Sequence, residues 1–254
     1  MASGEASKKG FQMKGIILAG GKGTRLRPLT YAIPKPLLPV GGKPVIEYAI
    51  ENLKTCKDID RIYLGISHMA NAMEHYFDHV DYGIPIELVN TPAWETGGDL
   101  KTIVEKKGIE EAVVVAYGDL VVQLDVHKML DFHRRNGKMA TVALFEVPST
   151  DARRFGIAEV KSNTVTRFVE KPAPRTMKSN LANAGYYVLE PSALKQLPLE
   201  KAKVEEKLFP QLVSKGQLAG YTVKLPYWLD IGTVESYRKA NRMVEGIIAP
   251  WNQG

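Results

Sequence analysis

Short apolar runs alternate with helical periodicities through the first half of the chain. Gly15–Ala19 (GIILA) has the length and composition of a buried strand and runs into glycines. Ile46, Ala49, Ile50 and Leu53 then repeat at helical spacing. Arg61–Ser67 (RIYLGIS) predicts a second strand, and Met69, Met73, Tyr76, Phe77 and Val80 form the apolar stripe of a helix after it. Ile84–Val89 and Ala112–Tyr117 predict a third and a fourth strand. Alternation of this kind implies parallel strands with helices on both faces. From about residue 139 the pattern changes to short strands with few helices between them, at 140–147, 157–160, 165–169 and 186–189. Ser162-Asn163 marks a hairpin turn. The chain returns to helix with Val234, Tyr237, Ala240 and Val244 on one face. The fold class expected is α/β: a mostly parallel sheet flanked by helices, with a smaller antiparallel β lobe.

Composition narrows this only a little. At 254 residues, 44% hydrophobic and 24% charged, the chain can bury a full core without disulfide or metal staples. Residues 1–12 are polar, lack the apolar core of a signal peptide, and read as a flexible N-terminal extension. Residues 13–254 read as one domain, with parts at about 13–138, 139–227 and 228–254. The single cysteine, Cys56, excludes an intrachain disulfide and points to the cytoplasm. No apolar stretch nears the roughly 20 residues of a membrane helix, so no membrane partner is expected. The net charge of +6 suits an acidic ligand. No basic block with interleaved aromatics occurs, so nucleic acid is not expected as a partner.

The chemistry begins at Leu18-Ala19-Gly20-Gly21-Lys22-Gly23-Thr24-Arg25-Leu26-Arg27-Pro28, where a buried strand leads into three glycines, a hydroxyl and two arginines. Glycines let backbone approach a phosphate and turn its N–H groups inward as an anion nest. Two named phosphate loops fail on spelling. The dinucleotide fingerprint needs glycine where Leu26 stands, and Walker A needs Gly-Lys-Ser/Thr where this chain has Gly23-Thr24-Arg25. Ten residues after Arg25, Lys35 lies in IPKPLLP. Three prolines in six residues exclude helix and predict a stiff, extended segment, making the ammonium a preorganised point charge.

Two aspartates follow. Val115–Asp119 (VAYGD) is an apolar strand ending in Gly-Asp, which places Asp119 at the C-terminal edge of a parallel sheet. Asp230, in WLDIGT, precedes a helix that Thr233 can cap. Magnesium needs only one or two carboxylates beside phosphate oxygens and waters. His75 and His79 have i,i+4 spacing but lack the glutamate of the zinc-protease motif.

Met13–Thr30 (MKGIILAGGKGTRLRPLT), Pro34–Leu37 (PKPL) and Gly42–Tyr48 (GKPVIEY) together resemble the sugar-1-phosphate nucleotidyltransferases, in particular the glucose-1-phosphate thymidylyl-, uridylyl- and cytidylyltransferases. The likeness runs from Met13 to about Arg242. It implies a Rossmann-like fold with a sugar-binding lobe, Mg2+ as cofactor, and a nucleoside triphosphate and a sugar 1-phosphate as partners. By matching motif, Leu18, Ala19, Gly20, Gly21, Gly23, Thr24 and Arg25 wrap the triphosphate, while Arg25, Lys35 and Asp119 are catalytic. Asp119 and Asp230 hold the ion. Gly156, Glu170, Lys171 and Asn183, in Phe155–Ile157, Val169–Pro172 and Asn183–Tyr187, meet the sugar phosphate. Asn90, Thr96 and Gly98 complete the nucleotide site. An amide at Asn90 suits uracil or thymine, whereas Thr96-Gly97-Gly98 with Leu100-Lys101 also resembles the cytidylyltransferases. The order expected is UTP or dTTP, then CTP, then GTP. A kinase or ATPase lacks its Walker A here. A regulatory nucleotide-sugar-binding module stays open as the non-enzyme reading, as does a homo-oligomer. Many members carry a C-terminal β-helix of hexapeptide repeats. None is spelled in this sequence, so no coupled acetyltransferase is expected.

Overall fold

A computed structural model describes residues 12–173 and 176–247. The extension expected at residues 1–12 lies, but for Gln12, outside them. In chain order the strands are β1 (Met13–Leu18), β2 (Pro39–Val40), β3 (Lys43–Pro44), β4 (Ile59–Ile66), β5 (Ile86–Asn90), β6 (Val113–Tyr117) and β7 (Leu120–Val122). Then follow β8 (Ala140–Glu146), β9 (Gly156–Lys161), β10 (Thr164–Glu170), β11 (Leu181–Leu189), β12 (Leu218–Thr222) and β13 (Trp228–Asp230). The α-helices are α1 (Ile46–Lys54), α2 (Ala70–Phe77), α3 (Glu95–Lys107), α4 (Val126–Asn136), α5 (Pro191–Leu194), α6 (Phe209–Ser214) and α7 (Val234–Ile247).

Nine strands make one sheet, ordered β5-β4-β1-β6-β11-β8-β12-β10-β9. The first four are parallel. β11 enters antiparallel between β6 and β8, and β12 then runs parallel to β8. The shorter strands of the second half therefore extend the parallel sheet. β11 makes the join. Its second half pairs with β6 through Tyr186↔Ala116, while Leu181 and Ala182 pair with both β8 and β9.

Period-2 alternation sends neighbouring side chains to opposite faces. Ile17 and Tyr186 pack with α1 and α4 residues such as Ile50 and Met129. Ile16 and Tyr187 pack with Leu100 and Ile103 of α3 and Phe209 of α6. This two-faced burial defines the α/β class. A third cluster seats Ala240 and Val244 of α7 against Leu26, Leu38, Val121, Leu229 and Ile231, behind the glycine turn. Thr233 caps that helix as expected, its Oγ1 accepting the Ser236 N–H at 3.1 Å.

One local expectation holds and two differ. Ser162 and Asn163 both take positive φ, 46° and 64°, which is the turn that matches strand twist. The α2 stripe stops at Phe77, and Val80 stands beyond the helix. Lys35–Leu37 is a 3-10 turn, not an extended segment. Proline's fixed φ near −65° suits such a turn, and Pro36 sits where no N–H is needed.

Candidate active site

β1 and β6 are in register with Leu18 opposite Tyr117, so the glycine turn and the Gly118-Asp119 step leave the sheet side by side. Ligands of open α/β sheets bind at this C-terminal edge. A cleft of about 640 Å3 opens there. Its walls are Leu18–Lys22, Lys35–Pro36, the loop from Pro92 to Thr96 with Asp99 behind it, Tyr117–Asp119 and Lys201. Leu18, Ala19, Gly20, Gly21, Lys35, Thr96 and Asp119 are thus brought together. Gly23, Thr24 and Arg25 are not in the wall. Gly23 has φ 60°, its carbonyl accepts from Thr30 Oγ1 at 2.8 Å, and a Cβ would meet Thr30 at 2.8 Å and Lys35 at 3.2 Å. It spaces the turn from the lysine.

The charges gather at one end. Lys35 Nζ donates to Asp119 Oδ2. β13 pairs with β7 with Asp230 opposite Leu120, and the Ile231 N–H donates to the Asp119 carbonyl at 3.3 Å. Asp119, just before β7, and Asp230, at the end of β13, are therefore carried on one strand pair. Asp230 Oδ1 accepts from Arg154 Nη2 at 3.2 Å, and Oδ2 from the Gly232 N–H at 3.2 Å. A Cβ on Gly232 would lie 2.8 Å from Asp230 Oδ2 and 3.2 Å from Arg25 Nη2. Each carboxylate thus has its own cation, Lys35 for Asp119 and Arg154 for Asp230, with Arg25 beside Gly232. Asp119 in the cleft wall and Asp230 on the strand bonded beside it are the hard oxygen donors that a divalent cation takes. Arg154 escaped sequence reasoning although it adjoins Phe155-Gly156.

On the sugar side, β9 and β10 place Gly156 opposite Glu170. A Cβ at Gly156 would lie 2.7 Å from Glu170 Oε2 and 2.5 Å from Phe168 Cζ, so this glycine admits Glu170 and Phe168, not open space. Burial, with the charge of Glu205 beside it, pushes the Glu170 carboxyl up. Lys171 is exposed, at φ 49°, with its Nζ 3.9 Å from Glu170. Asn183 is buried in β11. Its Nδ2 donates to the Tyr187 hydroxyl at 2.7 Å and its Oδ1 accepts the Gly185 N–H at 2.8 Å.

Glu205 is a second residue that sequence reasoning missed. It is 7% exposed and accepts from Thr96 Oγ1 at 2.9 Å and from the Tyr117 hydroxyl. The Tyr187 hydroxyl lies 3.0 Å from it and 2.8 Å from the Tyr117 hydroxyl. Burial holds both phenols protonated and able to donate. Glu205 stands in a π-helical turn, Val204–Leu208, a geometry frequent at functional sites. Its only sequence signal is an acidic pair before the apolar Leu208-Phe209.

Asn90 is not brought to the cleft. Along β5 the pleat buries Val89 and turns Asn90 outward, where its Nδ2 lies 3.5 Å from Glu74 Oε1. Gly98 lies behind the wall, packed on the 200–204 backbone. The carboxylates of Glu95 and Asp99 line the cleft instead. Elsewhere, ligand atoms of Cys56, Asp58 and His127 lie within 4.8 Å of one another, but Arg134 Nη2 already holds Asp58 at 2.8 Å. His79 Nδ1 meets the His75 carbonyl at 2.7 Å. Among the described residues no helix is long and apolar enough to cross a membrane.

The fold is thus a two-faced α/β sheet with a glycine turn, Lys35 and Asp119 at its C-terminal edge and Asp230 on the neighbouring β13. Residues 14–246 match the family model for nucleotidyl transferases, and the chain belongs to that family. It is 36% identical over 248 residues to a UTP–glucose-1-phosphate uridylyltransferase of Synechocystis, covering 91% of this chain and 63% of the relative. It is 33% identical over 236 residues to a mannose-1-phosphate guanyltransferase of Emericella nidulans, covering 89% and 62%. The chain thus spans somewhat under two thirds of these relatives. A crystal structure of a candidate glucose-1-phosphate thymidylyltransferase from Bacillus anthracis, in complex with a sucrose, superposes with a TM-score of 0.79. It shares 28% identity and covers 91% of this chain and 95% of that one.

Proposed function

We propose that this chain is a sugar-1-phosphate nucleotidyltransferase, moving a nucleoside monophosphate from a triphosphate to a hexose 1-phosphate and releasing pyrophosphate. The observation that carries the reading is Lys35 held against Asp119 in the wall of the glycine-turn cleft, with Asp230, bonded by Arg154, on the strand that runs beside Asp119's backbone. A sugar-phosphate oxygen attacks the α-phosphorus, and the bond from that phosphorus to the oxygen of the β-phosphate breaks. A phosphate monoester is largely ionised at neutral pH, so the nucleophile needs no general base. The backbone of Leu18–Gly21 binds the triphosphate, and Lys35 and Arg25 offset charge as an anion approaches a polyanion. Asp119 and Asp230 would hold a divalent cation, which supplies further charge neutralisation at the phosphates. Glu170, Lys171 and Asn183 serve the sugar side, Asn183 through Tyr187. One domain, residues 13–254, carries both substrates.

UTP or dTTP with glucose 1-phosphate is the first pairing, UTP being supported by the name of the Synechocystis relative and dTTP by that of the Bacillus structure. GTP with mannose 1-phosphate is a second reading with an observation of its own. Glu95 stands in the cleft wall as a carboxylate, and guanine offers adjacent N–H donors, whereas Asn90 faces away. Pyrophosphate release should be measured with Mg2+ across four triphosphates against glucose and mannose 1-phosphates. Turnover in any pairing supports the activity and ranks the base. No release in any of them leaves a binding module and overturns the proposal.

A further inference from the structure

The wall of the cleft opposite the glycine turn is a loop in an unfavourable conformation. Ala93 and Glu95 both take positive φ, 59° and 61°, and neither is glycine. Non-glycine residues hold such angles only where the surroundings over-determine them. Two restraints act here. From one side, the Ala202 N–H donates to the Trp94 carbonyl at 3.1 Å, while the Gly97 and Gly98 N–H groups donate to the Ala202 carbonyl at 2.8 and 3.1 Å. From the other, Asp99 folds back from the second turn of α3 and accepts the Trp94 N–H on Oδ1 at 2.8 Å.

The second oxygen of Asp99 reaches the opposite wall. A Cβ on Gly20 would lie 3.1 Å from Asp99 Oδ2, 2.9 Å from Ser67 Oγ and 3.4 Å from Thr91 Oγ1. Ser67 Oγ in turn donates to the Gly20 carbonyl at 2.5 Å. One carboxylate thus bonds the Trp94 amide of the strained loop with one oxygen and, with the other, fills the space that a side chain at Gly20 of the glycine turn would need. Asp99 is 7% exposed, so water does not screen it.

We propose that Asp99 is a positioning residue that sets the separation of the two nucleotide-binding walls and holds the 93–95 loop in its strained, binding-ready form. This rests on the nucleotidyltransferase reading only for which ligand fills the cleft. Preorganisation lowers the ordering cost of binding, so its loss shows as weaker triphosphate binding with the chemical step spared.

The test compares Asp99→Asn and Asp99→Ala, using whichever of UTP and GTP the wild type turns over faster. Asparagine keeps an acceptor for the Trp94 N–H; alanine keeps none. Asp99→Ala should raise the triphosphate KM about ten- to hundredfold, the effect of a hydrogen bond to a charged group. Its kcat and its KM for the sugar phosphate should move less than about threefold, and Asp99→Asn should recover most of the loss. Hydrogen exchange on the nucleotide-free protein gives a readout independent of turnover: the Trp94 amide should lose protection in Asp99→Ala and keep it in Asp99→Asn. An unchanged triphosphate KM with unchanged Trp94 protection overturns the proposal. So does an equal rise in both KM values with a fall in kcat, which marks general unfolding of the site. A wild type without turnover overturns the enzymatic reading instead, and the exchange experiment then still decides the role of Asp99.

Discussion

At the residue scale the site is a balance of opposed charges, and each member has a distinct expected signature. Lys35 is 13% exposed at its side chain and held against Asp119. Replacing it with alanine should cut kcat about 10²–10³-fold with a smaller change in triphosphate KM, because its charge matters most as the transition state forms. A raised KM at constant kcat would reassign it to ground-state binding. Asp119→Ala and Asp230→Ala should each abolish metal-dependent turnover while leaving circular dichroism unchanged. Glu170 carries a different cost. Burial first, and then the charge of Glu205, raise its pKa, so folding favours its protonated form. That contribution is present below the ordinary carboxylate range, about pH 4, and is lost as pH rises through the raised value. At neutral pH the ionised group burdens the fold. Glu170→Gln should therefore melt no lower than wild type at about pH 7 and show a flatter stability profile above about pH 4, while its sugar-phosphate KM rises. A lower Tm at neutral pH would show that the ionised Glu170 is stabilised in a way its surroundings do not account for.

At the element scale, what could be read from the sequence follows from how locally each element is determined. Strands with both faces buried announce themselves, so β1, β4 and β6 appear as apolar runs within two residues of their bounds. The turn at Ser162-Asn163 is legible for the same reason. α3 is not, because Gly97 and Gly98 sit in its first turn and weaken any helical signal. Tertiary contact explains them: a Cβ on Gly98 would lie 2.2 Å from the Glu200 carbonyl oxygen and 2.6 Å from Trp94 Cβ. The glycines exist to let the 200–204 backbone lie on α3, a contact invisible to periodicity. Glu205 is hidden likewise, since its partners Thr96, Tyr117 and Tyr187 stand far away in sequence. Asn90 faces away from the cleft because one step of strand pleat decides which way it points. The two kinds of glycine should behave oppositely. Gly98→Ala should lower stability by about 1–3 kcal/mol through overpacking and raise the triphosphate KM, since the segments it displaces line the cleft. A Cβ on Gly21 meets nothing within 4 Å, so Gly21→Ala should leave Tm unchanged or slightly raised and affect only ligand affinity. Thermal melts beside KM values for the two variants check both, and equal Tm losses would refute the distinction.

At the scale of the whole molecule, the question is whether the nucleotide half and the sugar half are one folding unit. A change of texture near residue 139 suggests a seam, but the structure puts little there that could open. β11 is hydrogen-bonded to β6 on one side and to β8 and β9 on the other, so no sheet edge separates the halves. Both faces of the sheet are sealed across the same line. Ile17 shares its cluster with Phe145 and Tyr186, and Ile16 shares its cluster with Leu144, Phe168 and Tyr187. Splitting the halves would expose these side chains, at about 1.5–3 kcal/mol each, along with the β6–β11 backbone pairs. The Tyr117–Tyr187–Glu205 network, which reaches both Thr96 and Asn183, would also be broken. Partial unfolding at the seam therefore costs a large fraction of the stability of a domain this size. Calorimetry on the ligand-free chain should show one transition with van't Hoff and calorimetric enthalpies in agreement, although 254 residues is beyond the length at which two-state behaviour is routine. Native-state hydrogen exchange should give the amides of β6, β8 and β11 the same, highest protection. Two resolved transitions, or β8 amides that exchange well before those of β6, would mean the halves fold separately, and the single-domain reading of residues 13–254 would fall with that result.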